Sequence, residues 1–121
     1  MGLNIRFEGD VAILSNFARL MNDPRYVDAA RDVQRLLDEG VRNFVIELSG
    51  VRETGDSFLG VLMTISREIR RDKGDVVLAH CSREVENCIA MMQLDDYWDM
   101  FATVDEATRF FHRSTTLGED Q

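Results

Sequence analysis

Two short, almost uninterrupted apolar runs constrain this chain more than anything else in it: Phe44-Val45-Ile46-Glu47-Leu48 and Val76-Val77-Leu78-Ala79. Neither alternates polar with apolar residues. Each therefore reads as a strand covered on both faces, the place of a central strand in a mainly parallel sheet. Parallel neighbours need a long connection, usually a helix. The intervening sequence supplies one from about Asp56 to Arg71, with Phe58, Leu62, Ile65 and Ile69 on one face and Arg67, Arg70 and Arg71 elsewhere. Gly74 is expected to stop that helix.

The flanking sequence extends the pattern. Leu3–Glu8 alternates as a half-buried strand does, Gly9-Asp10 signals a turn, and Val11–Leu14 reads as a second strand completing a hairpin. Asp23-Pro24 is a good helix start, since Asp accepts a backbone N–H and Pro lacks a donor that would go unused. Tyr26, Ala30, Val33, Leu36 and Leu37 form the inward face, and Gly40 is expected as a left-handed C-cap. Ser82 caps a helix carrying Val85, Cys88, Ile89 and Met92. A short strand near Met100-Phe101 follows. Thr103-Val104-Asp105-Glu106 fits a capping box opening a last helix, with Ala107, Phe110 and Phe111 inward.

The order is β-β-α-β-α-β-α-β-α, which predicts an α/β fold: a mixed, mainly parallel sheet with helices packed on it and one antiparallel edge. With 121 residues there is room for one domain, read as 1–112, followed by a polar tail at 113–121 expected to fray. Of the adjacent Met91 and Met92, one is expected in the core and the other nearer the surface. Leu94, Tyr97, Trp98 and Met100 read as helix-to-sheet packing, with a partner-binding patch at that helix as the alternative.

Charge and chemistry exclude several functions. A net charge of −8 argues against non-specific binding to nucleic acid or a membrane surface. The N-terminal residues lack a charged-then-apolar signal pattern and no apolar run is long enough to cross a bilayer, so the expected location is cytoplasmic. Cys81 and Cys88 make no disulfide framework. His80-Cys81 is better read as a strand end than a metal site, because structural zinc needs four ligands. No metal or cofactor is expected. Gly55-Asp56-Ser57 opens like a class of serine esterases, but no D-x-x-H accompanies it, and Leu59 spoils a G-x-S-x-G elbow. The spacing Gly55 to Gly60 is followed by Val61-Leu62, so it is no phosphate loop. Asp95-Asp96 and Glu119-Asp120 read as solvated charges rather than a catalytic pair. No enzyme activity is expected.

The order of elements, with the run from Arg42 to Gly60, resembles a STAS domain, and in particular the bacterial anti-sigma factor antagonists. Their pattern is a buried strand, a short loop, then D-S-(S/T)-G-L-G opening a helix. Here the segment reads Phe44-Val45-Ile46-Glu47-Leu48-Ser49-Gly50-Val51-Arg52-Glu53-Thr54-Gly55-Asp56-Ser57-Phe58-Leu59-Gly60. Gly74, the strand Val76–Ala79 and Ser82-Arg83-Glu84-Val85, where members have S-P-x-V, extend the likeness along nearly the whole chain.

The resemblance implies binding to an anti-sigma factor that is also a serine kinase, and so release of a sigma factor. It implies a contact surface of Arg52, Glu53, Gly55, Asp56, Ser57, Phe58 and Gly60. In the family the serine after the motif aspartate is phosphorylated, and two registers carry that role here. Matching Asp56-Ser57 to D-S makes Ser57 the acceptor, at the expense of an insertion and a compensating deletion. Matching Leu59-Gly60 to L-G without a gap puts Asp56 at the phosphoserine position, a fixed negative charge that no serine kinase can modify. A bland role, capping of the helix by Asp56 and Ser57, is compatible with either. The expected assembly is a monomer or weak homodimer. The alternative within the family is a scaffold or accessory subunit of a stress-sensing or phospholipid-transport ABC complex.

Overall fold

A computed structural model of the chain describes residues 3–20, 27–52 and 55–119. Five strands form one sheet in the order of the sequence: β1 (Asn4–Glu8), β2 (Val11–Ser15), β3 (Asn43–Glu47), β4 (Asp75–Ala79) and β5 (Met100–Phe101). β1 and β2 pair antiparallel, Glu8 opposite Val11, across the Gly9-Asp10 turn; every later neighbour is parallel. This is the mixed, mainly parallel sheet that the two apolar runs require.

Strand chemistry explains the layers. Phe44 and Ile46 face one side with Ala12, Leu14, Val76 and Leu78. Helices α2 (Val27–Asp38), α3 (Asp56–Arg71) and α4 (Arg83–Met91) bury that side. Val45 and Val77 face the other side with Val11 and Ile13, under a single helix, α5 (Val104–Glu119). β1 is the exception. Leu3 is buried, but Phe7 at the open edge is half exposed.

A single helical turn, α1 (Phe17–Leu20), follows β2 and buries Phe17 in the core on the side of α2, α3 and α4. One turn is too short to show periodicity, so the sequence reading did not include it. The Asp23-Pro24 start and Tyr26 lie outside the described residues. In α2 the fully buried alanine is Ala29, one position before the expected Ala30. α5 brings Ala107 and Phe111 inward and leaves Phe110 half-buried. Its backbone continues as helix to Glu119, through most of the stretch read as a frayed tail.

Helix ends are closed by the same device three times. After α2, Gly40 (φ +97°) takes the left-handed position. The N–H groups of Gly40 and Val41 donate to the carbonyls of Leu37 and Leu36. After α3 the left-handed residue is Lys73 (φ +68°), a correction to the reading of Gly74 as the stop. Gly74 is needed for another reason. A Cβ there would stand 2.8 Å from the Arg42 carbonyl oxygen and 2.8 Å from Ile69 Cγ2.

After α4, Gln93 (φ +60°) plays this part. The chain reverses so that Leu94, whose N–H donates to the Ile89 carbonyl, takes the inward place that helical spacing offers Met92. Met91 and Met92 are consequently 83% and 56% exposed, so neither is the core residue expected. Trp98 is buried, with Leu94, Tyr97 and Met100 packed against the core, which bears out helix-to-sheet packing for that cluster.

Candidate functional site

Because β2 to β5 run parallel, their C-terminal ends share one edge of the sheet, and α3 and α4 both start there. In open α/β sheets this is the edge where binding groups collect. The backbone turns sharply along it: Asn16 (φ +81°) follows β2, Gly50 (φ +80°) follows β3 and His80 (φ +58°) follows β4.

The loop from β3 to α3 is pinned at its start. Leu48 extends the sheet by donating to the Ala79 carbonyl (3.0 Å) and buries its side chain. Val51 is 2% exposed and closes a turn onto Leu48. The Ser82 hydroxyl donates to the Val51 carbonyl (3.1 Å) while accepting from the Val85 N–H (3.1 Å). Ser82 thus caps α4, as expected, and ties the α4 start to the loop. Arg52 faces Glu84 at 3.6 Å across the same gap; both side chains are more than half exposed, so the pair orients more than it stabilises. Ser49 and Glu47 bond to each other at the strand end. Glu53 lies outside the described residues.

Gly55 is the N-cap of α3, with extended backbone and no side-chain hydrogen bond to the first turn. Asp56 and Ser57 are therefore the first two helical residues. This corrects the capping role, because the helix begins one residue earlier than that role needs. Ser57 is exposed. Phe58 and Leu59 turn inward, at 2% and 7% exposure. Phe58 anchors the turn in the core, so its side chain drops out of the expected contact surface. Gly60 returns to the outside, and a Cβ at Gly55 or Gly60 would meet no atom within 4 Å. Packing inside the protein gives no reason for glycine at either place, and a glycine within a helix costs about 1 kcal/mol relative to alanine.

The edge thus presents Arg52, Gly55, Ser57 and Gly60 on one exposed surface, over a first turn without a side-chain cap. The first-turn N–H groups and the positive end of the helix dipole suit added negative charge there. Burial, and then the charge of Glu86, push the nearby Cys81 thiol from its ordinary 9.0 up to about 12, so at neutral pH it is a protonated, inert thiol. Among the described residues no three His, Cys, Asp or Glu side chains group as metal ligands. No helix among them is long and apolar enough to cross a membrane.

The STAS domain family matches residues 25–107, more than half of the chain. The chain belongs to the STAS domain family. Its fold is that of solved STAS proteins. One is an anti-sigma-factor antagonist (STAS) domain protein from Planctomyces limnophilus, at 21% identity and TM-score 0.73, covering 88% of this chain and 95% of that one. Another, described as a candidate anti-sigma factor antagonist from Thermotoga maritima, has 23% identity and TM-score 0.70, covering 88% and 92%. Among curated proteins no sequence matches it. The α/β fold expected along nearly the whole chain is borne out by these two structures.

The sequence reading missed two contributors to the STAS edge. Ser82 was seen as a cap, but its bond to Val51 joins residues 31 apart and has no local signal. Arg52 was placed on the surface without its partner Glu84.

Proposed function

We propose that this STAS protein is an anti-sigma factor antagonist. Through the first turn of α3 it binds an anti-sigma factor of the serine-kinase type and so regulates sigma-dependent transcription. The observation that carries this reading is the exposed Ser57 in the uncapped first turn, flanked by two glycines that nothing in the protein requires. A partner can approach bare backbone there more closely than it could approach side chains. The contact surface comprises Arg52, Glu53, Gly55, Asp56, Ser57 and Gly60, held in shape by the inward anchors Val51 and Phe58.

Ser57 is the phosphate acceptor in this reading. A phosphate would add about −1.5 to −2 charge to a turn whose dipole tolerates it, so the fold persists while the partner surface changes sign. Asp56 already brings one fixed negative charge to the same turn. If the gapless register holds, Asp56 is a permanent mimic of the modified state and the switch is absent.

Affinity capture of the tagged chain from its native cytosol, read by mass spectrometry, tests the proposal. The expected result is a kinase-type anti-sigma factor, lost from Asp56→Lys and Ser57→Trp variants. That kinase with ATP then phosphorylates wild type and leaves Ser57→Ala unmodified. Binding with no phosphorylation supports the Asp56 register. Recovery of an ABC-transporter ATPase or a sensor scaffold instead, or capture indifferent to both substitutions, overturns the sigma-control reading.

A further inference from the structure

The remote end of α4 carries the most apolar exposed surface among the described residues. Met91 and Met92 stand side by side, 83% and 56% exposed, and only Phe7 is comparable. Their exposure is built into the chain reversal: Gln93 in the left-handed conformation ends the helix and sends Leu94, not Met92, into the core. Over the nine residues of α4 the rise is about 13 Å, so this patch is separate from the Ser57 turn.

The surroundings of the patch are uniformly acidic in sequence. From Glu84 to Thr108 there is no Lys, Arg or His, against seven carboxylates, in a chain whose net charge is −8. Glu86 on α4, and Asp95, Asp96 and Asp99 in the connection to β5, are all exposed. Arg70 of α3 reaches this connection, but its guanidinium lies over the Tyr97 ring, 4.4 Å from the centroid, and points toward the Val76 carbonyl. Methionine side chains are flexible and polarizable, so they adapt to varied apolar partners. Two soft apolar groups in an exposed, acidic stretch of chain complement a helix with one apolar and one Lys/Arg-rich face.

We infer that Met91 and Met92, with the exposed carboxylates of α4 and of the connection to β5, form a second docking surface that takes a basic amphipathic segment of a partner protein. A second copy of this chain is the wrong occupant, because two equally acidic surfaces of chains with net charge −8 repel. An anionic membrane is disfavoured on the same ground. The inference does not depend on what binds at Ser57.

A titration with the whole chain tests it, using methyl-labelled methionine and two synthetic peptides of equal positive charge. One is an amphipathic Leu/Lys helix, the other a Gly/Lys chain without an apolar face. The Leu/Lys peptide should saturate the Met91 and Met92 methyl signals, leave Met63 and Met100 in place, and weaken with salt. Substitution to Ser at both methionines should lower its affinity about tenfold or more, with the weak Gly/Lys affinity unchanged. Replacement by Gln at both, which keeps the helix propensity, should act the same way, and an unchanged melting curve shows that both variants fold. Equal affinity for the two peptides overturns the inference. So does insensitivity to the substitutions, a response confined to the Ser57 turn, or self-association of the free protein that vanishes in the variants.

Discussion

The two ends of α3 are made differently. At its N-terminus the cap is a glycine without a side-chain bond, Ser57 and Gly60 face outward, and the local fixings are a loop tied by Ser82 and a buried Phe58. At its C-terminus the backbone is closed off and side chains are tied in. Lys73 and Gly74 donate to the carbonyls of Arg70 and Ile69, and Gly74 is pressed against the Arg42 carbonyl. Ser66, fully buried, accepts from Trp98 Nε1 at 2.8 Å. Arg42, at the close of α2, donates to the Leu37 and Val41 carbonyls. The hydrogen-bonded and packed groups gather at one end of the helix, and the exposed backbone at the other. This division is expected where a rigid element must present an adaptable surface.

Several substitutions break or sharpen that contrast. Phe58→Ala removes the anchor that lets the open turn stay helical, and should cost about 3–5 kcal/mol in denaturant unfolding. A loss below about 1 kcal/mol would mean that the turn is held from elsewhere. Gly74→Ala attacks the closed end. Its Cβ would crowd both the Arg42 carbonyl and Ile69, so a loss of about 1–3 kcal/mol is expected, visible as a lower denaturant midpoint. Ser66→Ala leaves the buried Trp98 N–H without its acceptor and should cost about 1–3 kcal/mol, with a change in the tryptophan emission.

Gly60→Ala reverses the sign. In an exposed helical position with open space it should stabilise by about 0.5–1 kcal/mol while weakening partner binding. Stabilisation with full binding would show that the bare backbone is not used.

The smallest effect at neutral pH is at Cys81. Its folded pKa of about 12 lies above the unfolded 9.0, so the protonated thiol's contribution is complete below about pH 9 and is lost as pH rises toward 12. Cys81→Ala should therefore flatten the alkaline fall in stability over that window, measured by melting at stepped pH. An unchanged alkaline slope would show that the thiol is not protected.

Much of this was legible locally. Phe44–Leu48 and Val76–Ala79 announced central parallel strands, because continuous apolar strands have no face to offer water. Ser82, Gly40 and the Thr103–Glu106 pair were readable as helix ends, since capping is a contact between near neighbours. Thr103 Oγ1 indeed accepts from the Glu106 N–H at 3.1 Å. The segment from Gly55 to Gly60 could be singled out as a candidate site, but the parts played within it could not be separated. Which of Asp56, Ser57 and Phe58 caps, faces out or anchors depends on where the first helical turn begins, and one residue rotates every side chain by about 100°.

The amino-acid sequence by itself determined the α/β order, the antiparallel edge and the STAS resemblance, because periodicity, turn residues and caps are properties of adjacent positions. Only the tertiary structure decided the rest. Gly74 is a glycine because a carbonyl from another loop needs its space, and a left-handed Gln93 turns two methionines into solvent. Each depends on atoms that meet only after the chain has folded, so no local pattern encodes it.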